Sequence, residues 1–544
     1  MKEVRVLDCT LRDGGYCNDC QFGFRNARYL VDSLVQAGVD VIECGFLTQR
    51  TPYQEDFTRF NTMEQAARLI PQDRRGRLFV GLLDYGAFSP DDLPEWDGSA
   101  LDGIRVTFHK KDRDPALALA RQIQAKGYKV FLQPMVALSY TDREYLDLIE
   151  KANALGPYAF YLVDSFGTMK RKEMLRFFYM LEHNLDPAIH IGFHSHNNLQ
   201  LAYANAQTLA DLPTGRSLLI DASIMGMGRG AGNLNTELFL DYLNDSTDKT
   251  YQIKPLLRAI DRVLGGFYQQ RPWGYSLPNY LSASYNAHPS YALFLAEKNT
   301  LTAEDIDRIF SRMPPEKRVS FDRDFIEDVY LRYMEHAAGG DSLAALGRQL
   351  SGKSVLLIAP GKSAGEEREK ILHFARERNP VTISVNFKYP YLATDFIFLS
   401  NLRRRWEMGK PPKSQLIVTS NIPQSGEDYR VDYSSLLNTQ EPVRDNAGLM
   451  LIQLLVRLGA KEIWLAGMDG YSHDPDENYL HKELRLSSAQ ETLDAMNRGM
   501  RRVLSQLARQ TGTAIRFLTK PQRIFLPGED TLADAEAGPS GLES

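Results

Sequence analysis

The chain has 544 residues, 43% of them hydrophobic and 24% charged, a globular composition with ample material for a core. A formal net charge of −5 gives no electrostatic case for nucleic acid or an anionic membrane as partner, and no apolar run reaches the ~20 residues needed to span a bilayer. No signal peptide is read at the N-terminus. The four cysteines are Cys9, Cys17, Cys20 and Cys44. No second pair completes a zinc site with Cys17 and Cys20, so a reducing cytoplasm is the expected compartment.

Eight short apolar runs open the chain, at residues 4–9, 39–45, 78–83, 103–108, 129–135, 160–163, 189–193 and 217–222. Amphipathic stretches at 25–37, 114–125, 142–155, 172–184 and 199–209 lie between them. Eight βα units with near-continuous apolar strands predict an α/β fold closed into a (β/α)8 TIM barrel over residues 1–250. A doubly wound sheet is the alternative, though it seldom needs eight consecutive units.

In order, the carboxyl ends of these runs carry Arg12 with Asp13, Glu43, Asp84, His109, Gln133, Asp164 with Ser165, His194 with His196, and Asp221. In a barrel those ends share one mouth, so the set reads as an active site. Glu43, His109, Asp164 and Ser165 are its candidate substrate contacts. His194 and His196 stand at i and i+2 of a strand and project to one face. Two imidazoles and the Asp13 carboxylate can therefore converge on one divalent cation, with Arg12 beside it as a fixed positive charge. That is equipment for stabilising an enolate.

A glycine-rich loop follows the eighth run, from Met225 to Glu237, and opens a helix. Its glycines could cradle a phosphate, or let the backbone pass close to a metal and substrate. Asn233 can offer an amide oxygen to a hard cation or cap the helix.

Three separated motifs, Thr10-Leu-Arg-Asp-Gly14, His194-Ser-His-Asn197 and Gly232-Asn-Leu-Asn-Thr-Glu237, are joined by a fourth, Val163-Asp-Ser-Phe-Gly167. Together they resemble the metallolyase barrel superfamily that holds 3-hydroxy-3-methylglutaryl-CoA lyase, the isopropylmalate and homocitrate synthases and 4-hydroxy-2-oxovalerate aldolase. The fourth motif is nearest to the aldolase branch. The resemblance implies Asp13, His194 and His196 as ligands of Mn²⁺ or Mg²⁺, Asn233 as an additional ligand, Arg12 at the enolate and Ser165 near the substrate carboxylate. The pyruvate aldolases of this group carry a histidine base three residues after the motif aspartate, where this chain has Tyr16. Either the base comes from elsewhere or the substrate differs.

Residues 251–345 are rich in aromatics and helical patterns, a helical extension that would act as a lid. In the aldolases such a segment contributes a tyrosine, for which Tyr275 and Tyr280 are candidates, and His288 could be the missing base. Most of these aromatics read as core. A linker start at 337–342 precedes a second set of strands at 354–360, 381–386, 396–399, 415–419 and 462–466, with a helix at 447–458. This predicts an open Rossmann-like α/β domain over 346–525, followed by a disordered tail at 526–544. The second domain resembles the sialyltransferase-like and flagellin-glycosylation Rossmann domains, which bind nucleotide-activated sugars. By that match Gly361, Asn386, Asn446, Gly448 and Asp469 line a nucleotide pocket and His473 is a general base.

The expected function is thus a metal-dependent aldolase acting on a pyruvate-type 2-oxo acid and an aldehyde, in surface-carbohydrate metabolism, fused to a glycosyltransferase-like domain. The partners leave room for a homo-oligomer. Two alternatives remain open: a Claisen-type acyltransferase using acetyl-CoA, and a non-catalytic binding or scaffold protein.

Overall fold

The structure is a computed structural model that describes residues 3–298, 301–334, 341–408, 413–423, 426–481, 490–511, 513–521 and 523–524. The tail read at 526–544 and most of the linker start at 337–342 lie outside the described residues. The chain divides into two compact units, Met1–Ala292 with Met313–Phe321, and Leu293–Arg312 with Asp322–Ser544. The helical stretch of 251–345 is shared between them.

The first unit contains β1 (Val4–Asp8), β2 (Val41–Leu47), β3 (Arg59–Phe60), β4 (Leu78–Asp84), β5 (Gly103–Phe108), β6 (Lys129–Pro134), β7 (Ala159–Asp164), β8 (His190–Ser195) and β9 (Leu218–Ala222). All their pairings are parallel. The order β1-β9-β8-β7-β6-β5-β4-β2 closes through a β1–β2 pairing into an eight-stranded barrel, with two-residue β3 appended outside β2. Period-2 alternation sorts the apolar side chains into two sets. Leu7, Val41, Val80, Phe131, Tyr161, Val163 and Leu219 pack together as one buried cluster. The other set, with Val6, Ile42, Ile104, Val130 and Phe160 among its members, packs with Leu30, Leu34, Leu148 and Phe177 of the surrounding helices. The helix Asp142–Leu155 begins on a capping box in which Thr141 and Glu144 satisfy each other's backbone N–H, so a strand–turn–helix repeat is written into the local chemistry.

The second unit holds β10 (Ser354–Ile358), β11 (Val381–Val385), β12 (Phe396–Leu399), β13 (Gln415–Thr419), β14 (Tyr429–Val431), β15 (Glu462–Ala466) and β16 (Ala514–Phe517). They form one all-parallel sheet in the order β14-β13-β12-β11-β10-β15-β16. Strand order reverses between β10 and β15, which makes that crevice the switch point of the sheet. The edge strands β14 and β16 and the helix Gln490–Thr511 add to the elements read from the sequence. Both edge strands are short and interrupted by arginine (Arg430, Arg516), so they lack the apolar run that marks the inner strands. No helix of the described residues is long and apolar enough to cross a membrane.

Candidate active site at the barrel mouth

The end of β1 delivers Arg12 and Asp13, and β8 delivers His194 and, just beyond its last residue, His196. Ligand atoms of Asp13, His194 and His196 lie within 4.8 Å of one another, all three residues buried. The glycine loop closes over them. An isolated bridge pairs His196 with Asn233, and the Asn233 amide donates to Asp13 Oδ2 at 2.7 Å. A Cβ at Gly228 would fall 2.3 Å from Asn233 Nδ2 and 2.7 Å from Asp13 Oδ2; only a residue without a side chain lets the loop pass so close. Trp273, from beyond the barrel, donates its indole N–H to the Met225 carbonyl at 2.9 Å and braces the loop.

Behind the triad runs a ladder of buried charge. Arg12 donates through Nε to Glu43 at 2.9 Å and through Nη1 to Asp13 at 2.5 Å. Arg105, in the middle of β5 and wholly buried, sits 2.8 Å from the same Glu43 oxygen and pairs through Nη2 with Asp221. Asp221 in turn meets His194 Nδ1 at 2.9 Å. That contact puts a proton on Nδ1 and leaves Nε2 as a lone-pair donor, as metal-ligating histidines require. Burial opposes ionisation of Asp13, but Arg12 and the two imidazoles outweigh it and hold the carboxyl well below the usual carboxylate range. Burial also pushes His196 down to about 3, against the opposing pull of Asp13, so its ring is neutral and able to ligate.

The residues fit a divalent metal. Three buried carboxylates, Asp13, Glu43 and Asp221, face two guanidinium groups, Arg12 and Arg105, so the cluster has negative charge to spare. Asn233 Oδ1 and His196 Nδ1 are buried with no hydrogen-bond partner among the described residues, a costly state unless something accepts their lone pairs.

The other sequence candidates are distributed as follows. Glu43 belongs to the ladder. The Ser165 hydroxyl accepts from Val136 N at 2.8 Å, and the Asp164 carboxylate accepts from Thr168 N and Met169 N at 2.9 and 3.1 Å, so both shape the loop after β7. Burial lifts the Asp164 carboxyl to about 7. Tyr16 lies under the guanidinium of Arg229, 3.9 Å from ring centre; burial raises its phenol, with Arg229 opposing. His288 faces Arg229 at 3.5 Å and packs edge-on against Phe166. His109 is half-buried and acts electrostatically on both Asp84 and His288. Tyr280 and Tyr275 are exposed, at 43% and 63%. Arg105 and Arg229 are functional candidates that the sequence pattern does not single out.

In the second unit, Gly361 and Asp469 meet at the switch point: Asp469 accepts from the backbone N and the hydroxyl of Ser363, and a Cβ at Gly361 would lie 2.3 Å from the Gly467 carbonyl. Asn386, at positive φ, holds Ser400 N at 3.0 Å. Asn446 caps the helix Ala447–Arg457, Gly448 packs against Met468, and His473 meets Asp494 at 2.9 Å on the surface.

A closed parallel barrel thus carries Asp13, His194, His196 and the Asn233 amide together at its carboxyl end, a candidate site for a divalent metal. The HMGL-like family model matches residues 107–260. The oxaloacetate decarboxylase of Mycobacterium tuberculosis is 29% identical over 239 residues, 43% of this chain and 68% of that protein. The 4-hydroxy-2-oxovalerate aldolase of Geobacillus genomosp. 3 is 29% identical over 246 residues, 44% of this chain and 70% of that protein. The enzyme of the same name from Thermus thermophilus is 28% identical over 347 residues, 61% of this chain and 95% of its own length. Family model and relatives together support an HMGL-like lyase barrel in the N-terminal part.

Proposed function

We propose that the first unit is a divalent-metal-dependent carbon–carbon lyase that cleaves or forms a 4-hydroxy-2-oxo acid through a pyruvate enolate. The observation that carries this reading is the Asp13–His194–His196 cluster with Arg12 fixed beside it. Arg12 uses Nε and Nη1 on Glu43 and Asp13, which leaves Nη2 to point a charged donor at a substrate oxygen. Bound Mn²⁺ or Mg²⁺ would supply Lewis-acid polarisation of the carboxylate and keto oxygens of the 2-oxo acid. In the cleavage direction the C4 hydroxyl loses its proton, the C3–C4 bond breaks and the aldehyde leaves. The electron pair remains as the enolate, which then takes a proton at C3. Arg12 faces the charge that develops on the C2 oxygen, a donor aimed where the transition state needs it. Tyr16, a phenol that stays protonated and opens to solvent, is assigned to donate a hydrogen bond to the aldehyde-side oxygen, while the proton of the C4 hydroxyl passes to water.

Pyruvate in D2O is the test, since it needs no knowledge of the aldehyde: metal-loaded protein should exchange the methyl protons, and chelator should stop it. Exchange that ignores chelator, or none at all, overturns the reading; condensation of acetyl-CoA in its place favours the acyltransferase. Arg12→Lys should fold and keep its metal yet lose about 10²–10³-fold in exchange rate, because lysine retains the charge but not the planar fork. Wild-type exchange in that variant would mean that Arg12 does not serve the enolate.

For the second unit we propose a nucleotide-bearing ligand, such as a nucleotide sugar, at the crevice between β10 and β15. The reversal of order in an all-parallel sheet favours this place. A nucleotide-dependent rise in melting temperature across CMP, UDP, GDP and ADP derivatives is expected for at least one class; no rise with any of them rejects the site.

A further inference from the structure

We infer that the barrel mouth holds an oxyanion subsite for the aldehyde, built from Arg229 and His288, so that the aldehyde partner is one that carries a carboxylate or a phosphate. This rests on the lyase reading above and narrows its substrate. His288 Nδ1 accepts from Ser290 N–H at 3.2 Å. A neutral imidazole has one proton, so that bond assigns it to Nε2. Nε2 faces Arg229 Nη1 at 3.5 Å, and two N–H donors thus point at each other with no acceptor between them. The ring stays neutral there: burial first, then Arg229 and His109, push His288 down to about 4. One oxygen of an oxyanion accepting from both groups resolves the conflict.

The surroundings are built to hold such a group. The Arg229 guanidinium lies over the Tyr16 ring, which fixes its plane, and it makes no ion pair among the described residues. Phe166 and Phe321 flank His288, with ring centres 5.8 and 6.1 Å away, and their apolar surface strengthens a charged hydrogen bond. The charged groups that bear on His288 are Arg229 and His109, and the Asp84 carboxyl, raised by burial, has Arg12, Arg50 and Arg229 opposing that rise. Arg229 directly follows Gly228, which borders Asp13. The subsite is therefore next to the candidate metal ligands, and a bound metal would take the 2-oxo acid's own carboxylate and leave the subsite to the anion of the aldehyde.

Aldehydes matched in length test this in the full-length, metal-loaded protein: succinic semialdehyde against butyraldehyde, and glyceraldehyde 3-phosphate against glyceraldehyde. The wild type should prefer the anionic member of at least one pair by about 10- to 100-fold in kcat/KM, the range expected for charge-assisted hydrogen bonds, and the larger ratio tells carboxylate from phosphate. Arg229→Met should bring that ratio near one, chiefly through the KM of the aldehyde, while pyruvate methyl exchange and melting temperature stay at wild-type values. Arg229→Lys should keep part of the preference. Equal kcat/KM for charged and neutral aldehydes in the wild type, or an unchanged ratio in Arg229→Met, overturns the subsite with exchange intact. Absence of exchange in the wild type defeats the lyase reading instead. Calorimetric titration with inorganic phosphate then decides the subsite on its own, because equal binding by wild type and Arg229→Met refutes it.

Discussion

Changing His194 and His196 together to alanine is expected to take bound metal from about one ion per chain to almost none, and pyruvate proton exchange to the background rate. The size of the effect follows from the ligand count. Asp13 and Asn233 would be left as an oxygen pair whose members already bond to each other at 2.7 Å, too few donors to compete with water for a divalent ion. The fold should survive, since neither ring belongs to the apolar clusters beneath the mouth. Elemental analysis of protein purified without chelator, with circular dichroism as the control for folding, measures this. Equal metal in wild type and double variant would place the ion elsewhere and remove the basis of the lyase assignment.

The candidate metal ligands are legible in the amino-acid sequence because their signal is local: two histidines at i and i+2, and an Arg-Asp pair where a strand stops. The barrel is legible for a related reason, since strands buried on both faces are continuous apolar runs. Arg105 is not. It interrupts the apolar run of β5, and its meaning depends on Glu43 and Asp221, which come from β2 and β9 and meet it only once the barrel closes. A fully buried arginine in a barrel strand must find carboxylates inside, and that rule applied to the strand-end acids points to it. Arg229 is hidden differently. The glycines around it suggest backbone geometry, while its partners, Tyr16 and His288, lie 213 residues before and 59 residues after it in sequence. In the second unit the inner strands are apolar and visible, whereas β14 and β16 are held by pairing to their neighbours rather than by their own composition.

Arg105→Met should destabilise the protein by about 3–5 kcal/mol, the cost of leaving a buried charge without its partner. Methionine fills much of the volume, so the loss is electrostatic rather than a cavity. Arg105 reaches Glu43 at 2.8 Å and Asp221 through its other nitrogen, and its guanidinium lies over the Tyr161 ring, 4.9 Å from the ring centre. With its amide oxygen turned inward, Gln133 accepts from Arg105 Nε at 2.7 Å. Remove the arginine and two carboxylates remain in the barrel interior, where burial favours their protonated forms. Asp221 is held below its ordinary range against burial, Arg105 first and His194 second; without Arg105 it should take up a proton more readily and hold His194 less firmly. The midpoint of urea denaturation measures the loss, and metal affinity should fall with it. Arg105→Met combined with Asp221→Asn removes one of the stranded charges and should recover part of the stability without recovering the metal affinity, since asparagine cannot support His194 as a carboxylate does. A single variant within about 1 kcal/mol of wild type, the scale of an exposed ion pair, would show that solvent or neutral carboxyls replace the guanidinium. The ladder would then be packing that happens to be charged, and not the frame that aims Arg12 and His194 at the metal.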